Sequence, residues 1–432
     1  MFPIPKVQYQ VHVFLLCLIV FSMPFPILIN SYLFVALSVN WLLMGNFRAK
    51  WRNLNLNPFV WIYIIFYLMH LASVLYSNNM GEAVIGLEKK LSFLVLPLVL
   101  GSTGFEDEQV IKKIFSSFLA GCILGGLICL GSAVYQYQSG AGAEVFFYHI
   151  FSRTISIHSV YFSCYLLLLV AILLFDANKS FLPAFTYQPL IRHLLLCFIV
   201  GLLILLSSKM MLGLLALLLL SYMAFYFFTS RRYIYKSKWS ISVVIAAVAM
   251  SALFTGIMNT PIKSRFEAIS NNDYSVMNQK KLDEKTYQFN GLTIRLAFVR
   301  FGVEILSEGN SWISGVGIGD AQDKLNEKFL KYKMYMGDGT PEDPGYWNYN
   351  FHNQYLQTLV QLGVGGLIIL IVIILVPFFI KTFTYKSLFL LFNSIFGCFM
   401  LTESALEAQH GIVYFVFFSV LFMMLGIKNK AI

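Results

Sequence analysis

The chain has 432 residues, of which 58% are hydrophobic and 12% are charged, and its formal net charge is +10. A soluble protein carries roughly 25% charged and 45–50% apolar residues, so this composition excludes a water-soluble globular enzyme, a disordered chain and a disulfide scaffold. Because one membrane span takes about 20 apolar residues, the apolar content suffices for roughly twelve spans. We therefore expect an all-α, polytopic membrane protein.

Apolar runs in the first 257 residues predict nine transmembrane helices. Lys6 precedes an apolar stretch without a small-residue cleavage site, so the first run is interpreted as a span and not as a removed signal peptide. The stretch 194–228 is too long for one span. We divide it at Ser207–Ser208–Lys209, which places Lys209 at the apex of a helical hairpin. The runs are 9–25, 27–45, 58–76, 91–103, 112–135, 158–175, the two halves of 194–228, and 239–257.

The predicted orientation follows from the basic residues of the short loops, which concentrate on one side of the membrane. Three further runs, 355–380, 386–402 and 409–427, bring the count to twelve. With a cytoplasmic N-terminus, the inner loops and the C-terminal tail share the basic residues Arg48, Lys50, Arg52, Arg231, Arg232, Lys236, Lys238, Lys381, Lys428 and Lys430. Both termini are therefore predicted to be cytoplasmic.

One large segment, residues 258–354, is predicted to lie on the outer side. It divides the chain into residues 1–257 with nine spans, the outer segment itself, and residues 355–432 with three spans. The outer segment holds eleven basic and twelve acidic residues, so the positive excess belongs to the inner face. A loop of this length is usually functional or disordered, and its helical patches and aromatic residues favour an ordered cap.

Arg295 is the first candidate for chemistry, because it has no acidic residue nearby in the predicted amphipathic helix 292–306. An arginine in apolar surroundings is costly unless an anion meets it. The alternative is an interfacial arginine whose side chain reaches water. Arg300 differs, since Glu304 four residues later forms an ordinary helical pair with it, although its charge also makes it a candidate substrate-binding residue.

His352 and Asn353 mark the point where the outer segment re-enters the membrane. A helix N-terminus is partly positive, which keeps an imidazole neutral, as a general base requires, and attracts phosphate. Asn353 is a candidate substrate-binding residue beside it. The alternative is a histidine that merely caps the helix or lies at the membrane interface.

Four further charged residues are predicted on the same face. Lys209 is the one charge in a long apolar stretch, and an ionisable residue there is a functional candidate by default; alternatively, it only ends a helix. Lys89 and Lys90 precede the fourth span and would add positive potential. Glu403, near the outer end of the eleventh span, would orient a base or a cation.

The remaining motifs give no support for metal or nucleotide chemistry. The run Gly315–Asp320 resembles a nucleotide fingerprint but lacks the strand–turn–helix context, so a structural turn is favoured over a backbone-amide phosphate nest. The six cysteines lie in apolar runs without the spacing of a zinc site or a disulfide framework. We expect no metal, no cofactor and no nucleic-acid partner.

Three stretches together resemble the O-antigen ligase and O-antigen polymerase superfamily of membrane glycan-assembly proteins. The first is Ser207–Ser208–Lys209, which opens an apolar span. The second runs from Arg295–Val299 through Glu304 to Gly315–Gly319. The third is His352–Leu356, followed by Leu362–Leu367. Their order and spacing are similar to the family's characteristic domain, and twelve spans with one large outer loop match its plan.

The resemblance implies a metal-independent glycosyltransferase with a donor glycan carried on undecaprenyl diphosphate. Arg295 matches the family's outer-loop arginine, which engages the lipid diphosphate, and His352 matches the histidine that activates the acceptor hydroxyl. Lys209 stands where the family usually has arginine; lysine keeps the charge but loses the planar, bidentate geometry. The acceptor would be lipid A–core oligosaccharide for a ligase or another lipid-linked repeat for a polymerase.

Several functional alternatives stay open at this point. The motifs as a whole, including Thr402–Glu403–Ser404, favour a ligase over a polymerase or a protein O-oligosaccharyltransferase. From a different class, a lipid-linked glycan transporter would place ionisable residues near mid-membrane and show internal repeats. The sequence shows no convincing repeat, and its notable charges are predicted at one face.

Overall fold

The computed structural model describes residues 6–56, 58–103, 107–176, 178–229, 276, 282, 289–338, 340, 345–379 and 386–427. Within these ranges the chain forms α-helices and short 3₁₀ turns and contains no strand. The all-α prediction is therefore confirmed for the described part of the chain.

Sixteen α-helices can be traced in the described ranges. The first eleven are α1 (Lys6–Ser22), α2 (Ile27–Leu43), α3 (Phe47–Asn55), α4 (Val60–Val74), α5 (Met80–Lys90), α6 (Ser92–Ser102), α7 (Glu108–Gln138), α8 (Tyr148–Ser152), α9 (Ser159–Phe175), α10 (Pro189–Leu206) and α11 (Lys209–Thr229). Two helices belong to the outer segment, α12 (Thr293–Glu308) and α13 (Ala321–Lys331). The last three are α14 (Gln354–Phe379), α15 (Lys386–Phe399) and α16 (Gln409–Ile427).

Every predicted apolar run within the described ranges coincides with a helix, and the run 239–257 lies outside them. By length and composition, α7, α10 and α14 are able to cross a membrane, and the number rises to five if each of two bent helix pairs is one span. Five further apolar helices are shorter. These helices indicate a membrane protein, while the count of twelve spans stays a prediction.

Two helices form the centre of the bundle. Residues 162–173 of α9 and 412–423 of α16 are buried without interruption. Helix α16 packs against α6 and α15, and α9 packs against α10, α11 and α15. A helix that is apolar on all sides is stable only when other helices or lipid surround it. The apolar runs therefore explain both the helices and their central position.

The described part of the outer segment has a hydrophobic core of its own. Phe298 and Phe301 of α12 pack against Phe329 of α13, with ring centroids 5.6 and 6.1 Å apart. The same core continues into Leu356 and Val360 at the start of α14. Thus α12 and α13 form an ordered cap over the N-terminal end of α14, in agreement with the predicted cap.

Asp320 fastens this cap to the connection between α4 and α5. Its carboxylate accepts hydrogen bonds from the backbone N–H groups of Asn78 (2.8 Å) and Asn79 (2.8 Å) and from the Asn78 amide (2.8 Å). The Tyr76 hydroxyl adds a bond to the Ser314 carbonyl at 2.6 Å. The end of α4, the start of α5 and the cap therefore lie at one face of the bundle.

Candidate functional site

A cavity of about 230 Å³ lies between the start of α12 and the turn that precedes α14. Arg295 on one side and His352 on the other, far apart in the sequence, both line it. Its lining is completed by Phe289, Asn290, Gly291, Ile294, Tyr346 and Tyr349. The structure therefore brings the two leading candidate residues together.

His352 is held in place by its backbone and by its ring. Its backbone is left-handed (φ 46°), and its N–H donates to the Asn350 side-chain oxygen at 2.9 Å. Its Nδ1 lies 3.0 Å from Oε2 of Glu403. A carboxylate accepts a hydrogen bond, so this contact assigns the proton of the neutral ring to Nδ1 and leaves Nε2 as the basic nitrogen.

Arg295 shares the same carboxylate. Its Nη2 lies 3.2 Å from Oε1 of Glu403, and Nε and Nη2 donate to the Thr402 carbonyl at 3.0 and 2.9 Å. Its Nη1 donates to the Gly291 carbonyl. The absence of an acidic residue near Arg295 in sequence therefore does not make it unpaired, because Glu403 reaches it across the fold. Within the described part of the chain, one N–H of Nη1 is left over for a ligand.

Glu403 thus bridges the imidazole and the guanidinium from the loop between α15 and α16. Burial alone would raise the pKa of its carboxyl, but the hydrogen bond from His352 and the positive charge of Arg295 outweigh burial and hold the pKa below its usual value. The group is therefore a carboxylate near neutral pH. The predicted orienting position of Glu403 agrees with this geometry, whereas its functional role stays a prediction.

Asn353 caps α14. Its Oδ1 accepts the N–H of Leu356 at 3.0 Å, and its Nδ2 donates to the Leu401 carbonyl at 3.2 Å. Capping satisfies a backbone donor that the first helical turn leaves open. Asn353 is not among the residues that line the cavity, so the contacts support a structural position behind His352.

Lys90 lies in a buried polar network beneath the loop that carries Glu403. Its Nζ lies 2.7 Å from Oε1 of Glu407 and donates to the Leu406 carbonyl. Gln354 donates to the same Glu407 oxygen at 3.2 Å, and Gln361 donates to the other at 3.3 Å. Glu407 therefore neutralises the positive potential that was expected from Lys90, and the pair joins α5, α14 and the 405–407 turn.

The other three basic candidates, Lys89, Lys209 and Arg300, each lie at a different place in the fold. Lys89 is exposed on the last turn of α5. Lys209 is the half-buried first residue of α11, after the left-handed Ser207 (φ 50°), so the predicted break in the long apolar stretch is confirmed. The convergence of Lys209 with Arg295 stays a prediction. Arg300 pairs with Glu304 at 2.9 Å, inside the cap, as its helical spacing predicts.

The glycine-rich run Gly315–Asp320 is a structural turn. The backbone N–H groups of Val316 and Gly317 donate to carbonyls of α14 at 2.8 and 3.1 Å. Those of Ile318 and Gly319 donate to the hydroxyls of Ser73 and Ser77 at 3.3 and 3.2 Å. Because these four donors already have acceptors, the run does not form an open nest for phosphate.

Sequence reasoning missed several residues around the site. Tyr349 lines the cavity, and its ring centroid is 5.6 Å from that of His352. His158, the cap of α9, lies near enough to Glu403 for the charge of the carboxylate to act on it. The aromatic residues near 345–349 offered a signal for Tyr349. No local pattern could have pointed to His158, because it approaches through the tertiary fold.

Among the residues that the structure describes, no three His, Cys, Asp or Glu side chains are grouped to hold a metal ion. The independence of the reaction from metal stays a prediction.

Comparison with known proteins gives one family match. Residues 193–371 match the family model described as O-Antigen ligase, and no curated protein matches the chain. The match confirms the resemblance to the O-antigen ligase and polymerase superfamily. It includes Lys209, Arg295 and His352, whereas Lys90 and Glu403 lie outside it.

Proposed function

We propose that this chain, with an O-antigen ligase family domain over residues 193–371, is a glycosyltransferase of the ligase type. It would move a glycan from undecaprenyl diphosphate to lipid A–core oligosaccharide at the periplasmic face of a bacterial inner membrane. The observation that carries the proposal is the cavity lined by His352 and Arg295, two residues that Glu403 bridges at 3.0 and 3.2 Å.

The proposed reaction begins at His352. Its Nε2 takes the proton of an acceptor hydroxyl, and the oxygen attacks the anomeric carbon of the donor sugar. The bond between that carbon and the diphosphate oxygen breaks, and the diphosphate leaves with the electron pair. Glu403 stabilises the imidazolium that forms, because it accepts the Nδ1–H on the opposite side of the ring.

The change of charge within the site during the reaction favours departure of the diphosphate. Neutral His352, Glu403 carboxylate and Arg295 guanidinium sum to zero before the reaction. Proton transfer to His352 makes the sum positive at the moment when negative charge grows on the leaving diphosphate. The free N–H of Arg295 is suited to receive that charge, and burial strengthens the interaction.

A deletion strain complemented with variants tests the proposal. His352→Ala should abolish glycan transfer, by at least about a hundredfold if proton transfer is lost, while an immunoblot still finds the protein in the membrane. His193→Ala is the matched control, since this histidine lies on the second turn of α10, outside the cavity, and should leave transfer intact.

The glycan that remains in the deletion strain identifies the acceptor. Loss of all long chains from the core supports a ligase, whereas a single repeat left on the core indicates a polymerase. Near-normal product with His352→Ala would remove the histidine from the mechanism.

A further inference from the structure

Aromatic rings form a continuous series along the cavity that reaches His352, whose other ring neighbour is Phe298 at 6.1 Å between centroids. The ring centroids of Phe289 and Tyr346 are 5.7 Å apart, those of Tyr346 and Tyr349 are 5.6 Å apart, and those of Tyr349 and His352 are 5.6 Å apart. All four side chains line the cavity. The cavity therefore has an aromatic wall on one side of the imidazole, and Arg295 lies on the other wall.

Helix α13 fixes the turn that carries this wall. The Gln322 side chain donates to the Tyr349 carbonyl at 3.0 Å. The Asn326 side chain donates to the side-chain oxygen of Asn348 at 2.9 Å and accepts its backbone N–H at 3.2 Å. Asn348 itself is left-handed (φ 62°). These bonds fix the backbone of the turn that carries the Tyr349 ring before any ligand arrives, and a preformed wall lowers the entropic cost of binding.

Tyr349 is nevertheless open to a ligand. Its side chain is 40% exposed, and within the described part of the chain its hydroxyl has no hydrogen-bond partner. An accessible aromatic ring set beside a base is typical of a ligand-binding site. The polar groups of the cavity wall, Tyr349 hydroxyl, His352 Nε2 and Arg295 Nη1, point to a ligand rich in hydroxyls.

We propose that the cavity is a subsite for one pyranose ring, with a C–H face of the sugar stacked on Tyr349 and its hydroxyls directed at His352 and Arg295. The negative face of an aromatic ring attracts such C–H groups. About 230 Å³ is below the roughly 300–1,000 Å³ of pockets for drug-sized ligands, so the cavity suits one sugar ring, and further sugars of a glycan would extend outside it. That the bound sugar takes part in the transfer reaction rests on the function proposed above.

The sugar comes from one of two sources, the first residue of the lipid-linked donor or the terminal residue of the acceptor. Purified protein in liposomes separates them, because KM is measured for each substrate in turn. Tyr349→Ala should raise one of the two KM values roughly 3- to 10-fold, the range expected for one lost stacking contact, with kcat little changed. Tyr349→Phe keeps the ring and should keep most of the affinity.

Trp347→Ala is the matched control. This tryptophan is two residues away and 43% exposed, yet it does not line the cavity, so its loss should leave both KM values unchanged. Unchanged KM values in Tyr349→Ala, or an equal loss in Tyr349→Phe, would overturn the stacking.

A binding measurement separates this proposal from the proposed function. The midpoint of thermal unfolding of the detergent-solubilised protein is measured with each of three ligands in turn. These are undecaprenyl diphosphate, the same lipid carrying one sugar, and core oligosaccharide alone. Tyr349→Ala should lose the stabilisation that a sugar adds and keep that of the bare lipid diphosphate. If the wild type transfers no glycan but shows this pattern, the subsite stands and the ligase function fails. If His352→Ala abolishes transfer while Tyr349→Ala binds sugar like the wild type, the subsite fails.

Discussion

Glu304 and Glu308 of α12 both pair with lysines of α13, and Glu304 is the less exposed of the two. The carboxylate of Glu304 receives hydrogen bonds from Arg300 (2.9 Å), Lys328 (3.0 Å) and the hydroxyl of Tyr332 (2.8 Å). Burial alone would raise the pKa of Glu304, but these three hydrogen bonds outweigh it and lower the pKa. The cap is therefore expected to depend on this group being ionised.

The sign of that dependence follows from linkage. A carboxylate whose pKa is lowered by folding contributes stability above its unfolded pKa of about 4.3, and this stability is lost as the pH falls through the lower folded value. We expect Glu304→Gln to reduce the free energy of unfolding by about 1–3 kcal/mol near pH 7. The difference between the two proteins should shrink below about pH 4, as thermal unfolding in detergent across a pH series will measure.

Glu327→Gln provides the comparison for Glu304→Gln. Glu327 pairs with Lys324 at 3.0 Å, but both side chains are exposed, and an exposed ion pair contributes only about 0–1 kcal/mol. A gap between wild type and Glu304→Gln that stays constant from about pH 7 to pH 3 would show that the carboxylate charge does not stabilise the cap.

Residue contacts could be predicted from sequence only where the partners are neighbours on one helix. The spacing of Arg300 and Glu304 predicts their pair, because side chains four apart on a helix lie on one face. The partners Arg295 and Glu403 are 108 positions apart, and Lys90 and Glu407 are further apart still. Such contacts depend on how the helices pack, which a charge pattern does not encode.

At the scale of elements, the main irregularity is the bend of α14 at Gly363. The glycine is left-handed (φ 67°), and a Cβ there would lie 2.1 Å from the Ile313 carbonyl oxygen. Beside it, the Val364 N–H donates to the Trp312 carbonyl at 2.9 Å. The bend therefore leaves room for the turn that ties the cap to α14. It also affects where the N-terminal half of α14 lies, and His352 lies just before that half.

Gly363→Ala should destabilise the protein. The backbone of Gly363 (φ 67°, ψ −168°) lies in a region open almost only to glycine and costs an alanine about 1–3 kcal/mol, and a forced shift of a packed backbone adds roughly 1–3 kcal/mol. The midpoint of thermal unfolding in detergent should fall, and glycan transfer should fall with it, because the turn can no longer pack against α14.

Gly201→Ala is the control for that substitution. Gly201 lies in α10 with no atom within 4 Å of its added Cβ, so alanine should leave the unfolding midpoint equal or slightly higher. Equal effects of the two substitutions would contradict the steric explanation.

Elements were predictable where apolar runs are long. The predicted helix 292–306 agrees with α12 within two residues, and the predicted division of 194–228 agrees with α10 and α11. The bend inside the run 355–380 was not predicted, because Gly363 is left-handed only through its contact with the turn at Ile313. The polar helix α5 and the short helix α8 were also missed, since neither has an apolar run of its own.

At the scale of the molecule, contacts between connections define one common face. Asn78 follows α4 and meets the cap at Asp320, and the backbone of Gln354 at the start of α14 meets Met400 at the end of α15 at 2.8 Å. All these positions are predicted to be periplasmic from the distribution of basic residues. The contacts agree that they share a face, whereas the compartment itself stays a prediction.

Cysteine labelling tests which compartment this face meets. In a cysteine-free background, Glu82→Cys replaces an exposed residue on α5, and Lys324→Cys replaces a residue on α13 whose side chain is 44% exposed. Arg48→Cys replaces an exposed residue on the predicted inner side. A membrane-impermeant maleimide added to intact inner-membrane spheroplasts should label the first two and reach the third only after lysis. Glu82→Cys and Lys324→Cys must behave alike, because the Asn78–Asp320 contact joins their elements. If Arg48→Cys alone were labelled before lysis, the positive-inside orientation would be inverted. His352 would then open toward the cytoplasm, where a periplasmic acceptor could not reach it.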